Sequence, residues 1–218
     1  MNALPTARPT LGRPKDPAKR AAVLEAAKHL FAEHGFDGVS MDQIAQAAGV
    51  SKLTVYSHFG DKDGLLAAAV QAHCEQEMPM KLFEPLPDVP LRERLLDIAR
   101  AFYAMVSCPQ AVAGHRMLCA PNGLSPNMAR LFWEAGPARV QAGLSELLGR
   151  RVEAGELAID DCHMAAAHFF VLLKGEPHAR LMIGHPELLD DAAIERHLDS
   201  VVDFFLRAHR PDAARAAS

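Results

Sequence analysis

Apolar residues recur every third or fourth position along most of the chain, the period of an amphipathic helix. In the first such run Val23, Leu24, Ala27, Leu30 and Phe31 share a face, predicting a helix from about Pro17 to His34 that Gly35 stops. Ser40 is a good N-cap for a second helix ending near Ala48, and Ser51 caps a third that ends at Phe59 before Gly60. Asp61 then opens a longer fourth helix reaching about Glu77. The segment "MPMKLFEPLPDVP", Met78 to Pro90, carries four prolines and reads as a linker or irregular turn.

Beyond it, Leu91, Leu95, Ile98, Phe102 and Met105 keep one helical stripe. Pro109 and "APNGLSP", Ala120 to Pro126, mark breaks, and a helical stretch then runs to about Ala154 with a kink expected at Gly136 and Pro137. Asp160 opens another helix through Lys174. Glu195 to His209 forms the last, with Ile194, Leu198, Val201, Val202 and Phe205 along one stripe. Period-2 alternation is missing and alanine and leucine abound, so the fold class is all-α.

Length changes this picture little: 218 residues at 50% hydrophobic content fill a real core and allow one large or two smaller helical domains. The longest apolar run, "AAAHFFVLL" at Ala165 to Leu173, is half a membrane span, so it reads as a buried helix. The N-terminus has basic residues without an apolar run after them, which argues against a signal peptide and for the cytoplasm. Cys74, Cys108, Cys119 and Cys162 form no CxxC pair and read as small buried hydrophobes. His115 and Cys119 stand four apart with no third ligand nearby, so no metal or other cofactor is expected.

Charge is informative by its distribution. The net value is −4, yet residues 1–20 hold Arg8, Arg13, Lys15, Lys19 and Arg20 against Asp16 alone. One end suits a polyanion and the rest does not.

The stretch "QAAGVSK" joins two short helices by a glycine-containing turn, a helix-turn-helix pattern. At about 100° per residue Val55 and Phe59 point inward, while Leu53, Thr54 and Ser57 point outward together, flanked by Tyr56 and His58. Hydroxyls bond base edges or phosphates and an exposed aliphatic touches a thymine methyl, so this face suits a DNA major groove. Lys62, at the start of the next helix, adds a charge beside backbone N–H groups where a phosphate would sit. Tyr56 can also be a boundary aromatic with its hydroxyl in water.

"SMDQIAQAAGVSKLTVYSHFGDKDGLL", Ser40 to Leu66, resembles the DNA-binding signature of the TetR family of bacterial repressors. "AAKHLFAEHGFDGVS" upstream resembles that family's first helix and glycine turn, and "GRPK" its basic arm. The resemblance implies a homodimeric, ligand-responsive repressor that binds double-stranded DNA, an inverted-repeat operator, and lets go for a small-molecule effector. It implies a DNA-binding domain over residues 1–66, of which 1–16 form a flexible basic arm, and a helical sensing and dimerisation domain over 67–218. Carried over, Ser40 caps the second helix and meets phosphate, and Lys52, Thr54, Tyr56, His58 and Lys62 match DNA-contacting positions. Ser57 stands where many members have a basic residue and Leu53 where many have a small or polar one. Arg13 and Lys15 are either tail charges or a minor-groove arm. The C-terminal half, with "FWEAGPARV", is similar to the AefR-like subgroup.

In that half Phe102, Met105, His115, Met117, Phe132, Trp133, His168 and Phe169 supply either plain core or, gathered as the family architecture implies, an apolar ligand cavity. Dimerisation is expected through the helices near Asp160 to Lys174 and Glu195 to His209. Two rival readings stay open. An enzyme lacks any nucleophile elbow, HExxH or phosphate-cradling loop here, and a protein-binding adaptor leaves the outward Leu53, Thr54 and Ser57 unexplained.

Overall fold

A computed structural model describes residues 16–85, 89–119, 125–185 and 190–211. The first four helices follow the expected boundaries: α1 (Pro17–His34), α2 (Met41–Ala47), α3 (Lys52–Phe59) and α4 (Lys62–Glu77). Each begins where a side chain satisfies an orphan backbone N–H. The Asp16 carboxylate accepts from Ala18, Ser51 Oγ from Thr54 and Asp61 from Gly64, while Ser40 and Gln43 form a reciprocal capping box. Inside, Val23, Ala27, Ile44, Val55 and Leu65 are fully enclosed and hold the four helices around one core.

The proline-rich segment is less irregular than its composition suggests. Met80–Phe83 winds one 3-10 turn that buries Phe83. Arg94, itself buried, donates to the Lys81 carbonyl at 2.7 Å, and Arg150 donates to the Phe83 carbonyl. Gly143 permits this seat, because a Cβ there would lie 2.6 Å from the Phe83 ring.

Downstream follow α5 (Leu91–Ser107), α6 (Pro109–Leu118), α7 (Pro126–Ala135), α8 (Pro137–Glu153), α9 (Cys162–Ile183) and α10 (Asp191–Ala208). The expected kink at Gly136 and Pro137 is a full break between α7 and α8. The helix expected to stop at Lys174 continues to Ile183, bent at Gly175 (φ 44°, ψ −152°) with Pro177 beyond. Only glycine adopts that φ without strain. His197 fills the gap in the ladder, its Nε2 lying 3.0 Å from the Leu173 carbonyl. The last helix starts a turn before Glu195, because Asp190 caps it by accepting from Ala193.

Helices α5, α8, α9 and α10 enclose a second core around Leu95, Ile98, Leu144, Phe169, Leu198 and Phe205. The stripe Leu198, Val201, Val202 and Phe205, expected to meet another copy of the chain, closes this bundle instead. The large apolar side chains left in solvent on these helices are Met164, Val171 (67% exposed), Leu172 and, at its C-terminal end, Ile183 on α9, and Phe204 (54%) on α10. Among the described residues no helix is long and apolar enough to cross a membrane.

Candidate functional site

The short α3 presents its side chains as the helical period requires. Val55 is enclosed, Leu53 is 79% exposed, and Lys52, Tyr56 and Ser57 face solvent with it. Thr54 sits at the edge of this face, half-buried, its hydroxyl 2.8 Å from that of Ser51. Ser57 Oγ donates to the Thr54 carbonyl at 2.8 Å, so both hydroxyls are held in place yet keep lone pairs for a further partner. Lys52 Nζ lies 2.9 Å from Asp42 on α2, an exposed ion pair that a phosphate could replace at small cost. Its neighbouring carboxylate holds the lysine pKa above the usual value, so it stays charged.

Three of the expected contact residues also meet groups within the fold. His58 is half-buried beside Phe59 and its Nδ1 is enclosed without a hydrogen bond, because it follows Val55 by three positions and turns toward the core. Lys62 lies over the Phe36 ring at 4.2 Å. One of the backbone N–H groups expected to accompany it is taken, since Gly64 donates to Asp61 at 2.7 Å. Ser40 is exposed, and its hydroxyl caps α2 as expected, within the capping box. Arg13 and Lys15 lie outside the described residues.

Helix α4 joins this face to the rest of the molecule. It packs on α1 and α3 at one side and on α5 and α7 at the other. Arg139 of α8 bonds Glu75 at 2.7 Å, and a Cβ on Gly136 would lie 3.0 Å from both Cys74 Sγ and Val70. The corner between α7 and α8 therefore rests directly on α4.

Next to that corner is a cavity of about 680 Å³. Its walls come from α1 (Lys28, Phe31), α4 (Leu66, His73) and the distal helices, which contribute Phe102, Met105, His115, Phe132, Trp133 and Phe170. A space of this size with mostly apolar walls suits a drug-sized ligand. Five of the expected lining residues are present. Phe169 is not among them: it is fully enclosed in the second core against Phe205, and Phe170 takes its place. His168 is exposed, on a face of α9 turned away from the cavity. Met117 belongs to α6, but its side chain lies outside the described residues. Trp133, 54% exposed, stands at the rim.

The polar groups in this region are starved of water. Burial, then the charge of Lys174, lowers the His115 pKa. Its Nδ1 lies 2.9 Å from the Ala111 carbonyl, which can only accept, so this nitrogen carries the proton. Burial pushes the Cys74 thiol up to about 11, which leaves it an inert wall residue at neutral pH. Lys28, His73, Phe170 and Lys174 escape a reading of the sequence because their meeting depends on how α1 and α4 lie against α9. A lone lysine closing the apolar run Ala165 to Leu173 was the one local signal.

Residues 23–69 match the family model of bacterial regulatory proteins, tetR family, and residues 93–211 that of the AefR-like transcriptional repressor C-terminal domain. The Flavonoid-responsive Regulator FrrA has a similar structure, with 36% identity and TM-score 0.71 over 91% of this chain and 100% of that one. A TetR transcriptional regulator from Agrobacterium tumefaciens superposes with TM-score 0.69 at 25% identity, over 92% of this chain and 98% of that one. The HTH-type transcriptional regulator RutR of Escherichia coli (strain K12) is 30% identical over 156 residues, 67% of this chain and 68% of its own length.

Proposed function

The chain belongs to the TetR family of bacterial regulatory proteins, and on that premise we propose a repressor that holds operator DNA through α3 and releases it when a small, largely apolar molecule fills the cavity. FrrA is described as flavonoid-responsive, and a ligand of that general size and flatness fits about 680 Å³. Leu53, Thr54 and Ser57 read base edges in the major groove, while Ser40, Lys52, Tyr56 and Lys62 hold phosphates on either side.

Two copies act together in this reading. Met164, Val171, Leu172 and Phe204 form an exposed apolar face on adjacent helices, which a second chain covers by pairing α9 and α10 with their counterparts. The operator is then an inverted repeat with half-sites roughly 34–36 Å apart, or a multiple of that.

The observation that carries the mechanism is the double ownership of the cavity wall. Helices α1 and α4 line it with Phe31 and Leu66, and the same two residues belong to the core that supports α3. A ligand releases DNA only by binding better to a form whose two α3 copies are wrongly spaced. Wedging the wall supplies that difference, since α4 cannot tilt without carrying α3. The test takes the genomic fragments that co-purify with the protein and measures their binding by fluorescence anisotropy. Wild type binds a palindromic fragment tightly and Leu53→Ala shifts its sequence preference; an unchanged preference would remove α3 as the reading element.

A further inference from the structure

The cavity wall carries a cation that the described residues do not neutralise. Lys174 lines the wall on α9, and no Asp or Glu among the described residues pairs with it. Burial lowers its pKa, and among the described residues the opposing influence is the Cys119 thiol. Two histidines share its surroundings. His115 keeps its proton on Nδ1, which leaves Nε2 as a bare acceptor. The His178 ring meets His115 edge-on at 5.6 Å, and its own Nε2 is buried with no hydrogen bond. Burial, then Lys174 and His115, drives the His178 pKa down to about 4. The acidic residues of the cavity rim lie on other helices, where Glu25 is already paired with Lys28 at 2.8 Å.

We propose that the effector is a lipophilic acid: an apolar body seated on Phe102, Phe132 and Phe170, with one anionic group received by Lys174. This rests on the reading of the cavity as the effector site. A neutral ligand of the same shape strips the remaining water from Lys174 and gives nothing back, which penalises its binding. An anion turns that penalty into a charge-assisted hydrogen bond in a low-dielectric setting. His115 lies beside the same point and accepts from, or after protonation donates to, a second polar atom of the ligand. The site thereby selects by charge as well as by size, so an isosteric neutral molecule is a poor inducer.

Two probes of nearly the same shape separate charge from fit: 8-anilinonaphthalene-1-sulfonate, an anion, and N-phenyl-1-naphthylamine, the same arylamine without the sulfonate. Each is titrated against the full chain while emission from Trp133, the one tryptophan, reports arrival at the rim. In wild type the anion should bind ~10-fold or more tightly than the neutral probe. Lys174→Gln should abolish that preference while leaving the neutral probe within about twofold, and Lys174→Arg should retain it. Lys174→Met is measured in parallel, so that a folding defect in one variant, visible in its thermal melt, does not decide the matter. Equal anion affinity in wild type and a folded Lys174→Gln or Lys174→Met variant would overturn the inference while the cavity reading survives. If neither probe perturbs Trp133 in wild type, the cavity reading fails and takes the inference with it.

Discussion

Around Ile44, Val55 and Leu65 the N-terminal helices meet over fully enclosed side chains, and all four start on a side-chain cap. Around Phe102 and Phe170, by contrast, the packing leaves about 680 Å³ open, and caps are uneven: Ser125, Asp161 and Asp190 cap α7, α9 and α10, while α5 and α8 start without a side-chain cap. The reading element needs side chains at fixed positions, so its core is closed and its helix ends are pinned. In the proposed switch the sensing element has to yield, and beside its cavity the His178 Nε2 is buried with no hydrogen-bond partner among the described residues. Two cores in contact through α4 let one body keep its shape while the other changes.

The sharpest break of this contrast separates the buried from the exposed apolar face of α10. Val202→Glu places an unpaired charge in the second core and should cost about 4 kcal/mol or more, abolishing a cooperative thermal melt. Phe204→Glu sits in solvent and should leave the fold intact while converting dimers to monomers in light scattering. A folded Val202→Glu protein would mean that this stripe is not core.

Acid should act on the sensing half first. The His178 pKa is about 4 in the fold against roughly 6.5 unfolded, so between those values the unfolded chain binds more protons. Stability is therefore full above about pH 6.5 and falls as pH drops toward 4, by up to about 3 kcal/mol. His115 and His209 are lowered too and push the same way. Thermal melts of His178→Gln should show a flatter pH profile than wild type over this window. Identical profiles would show that His178 is not held neutral by burial.

A smaller effect follows at the linker. Gly143→Ala drives a Cβ to 2.6 Å from the Phe83 ring and should destabilise by about 1–3 kcal/mol, seen as a lower urea midpoint. The smallest stability effect belongs to the DNA face. Lys52→Ala removes an exposed, solvent-screened ion pair and should leave the thermal melt close to that of wild type. Its operator affinity should nonetheless fall for all sequences alike, with the salt slope reduced by about 0.9 per lost phosphate contact. An unchanged slope would take Lys52 off the phosphate backbone.

Legibility in the sequence divides along the same line. Asp16, Ser40, Ser51 and Asp61 stand one residue before each of the first four helices, so local chemistry alone locates them. The inward Val55 and outward Leu53 follow from the period of one short helix. The sensing half resists because a single residue turns a helix by about 100°: Phe169 and His168 were one or two positions from the cavity-lining Phe170. Val202 and Phe204 differ in fate for the same reason, and only the packing of α5 and α9 decides which of them meets solvent. The meeting of Phe31 and Leu66 with Phe170 across one space has no local signature at all.

The central claim is that occupancy of the space shared by α1, α4 and the distal bundle governs release of DNA. It is tested most directly by titrating one inducing compound in two assays, operator release by anisotropy and Trp133 emission, in wild type, Phe170→Ala and Phe169→Leu. Once DNA linkage is included, both assays should follow one dissociation constant in wild type, and Phe170→Ala should shift both together. Phe169→Leu, a core change away from the cavity wall, should shift neither beyond about twofold. Operator release that proceeds while Trp133 emission stays constant, with Phe170→Ala as potent as wild type, would contradict the account.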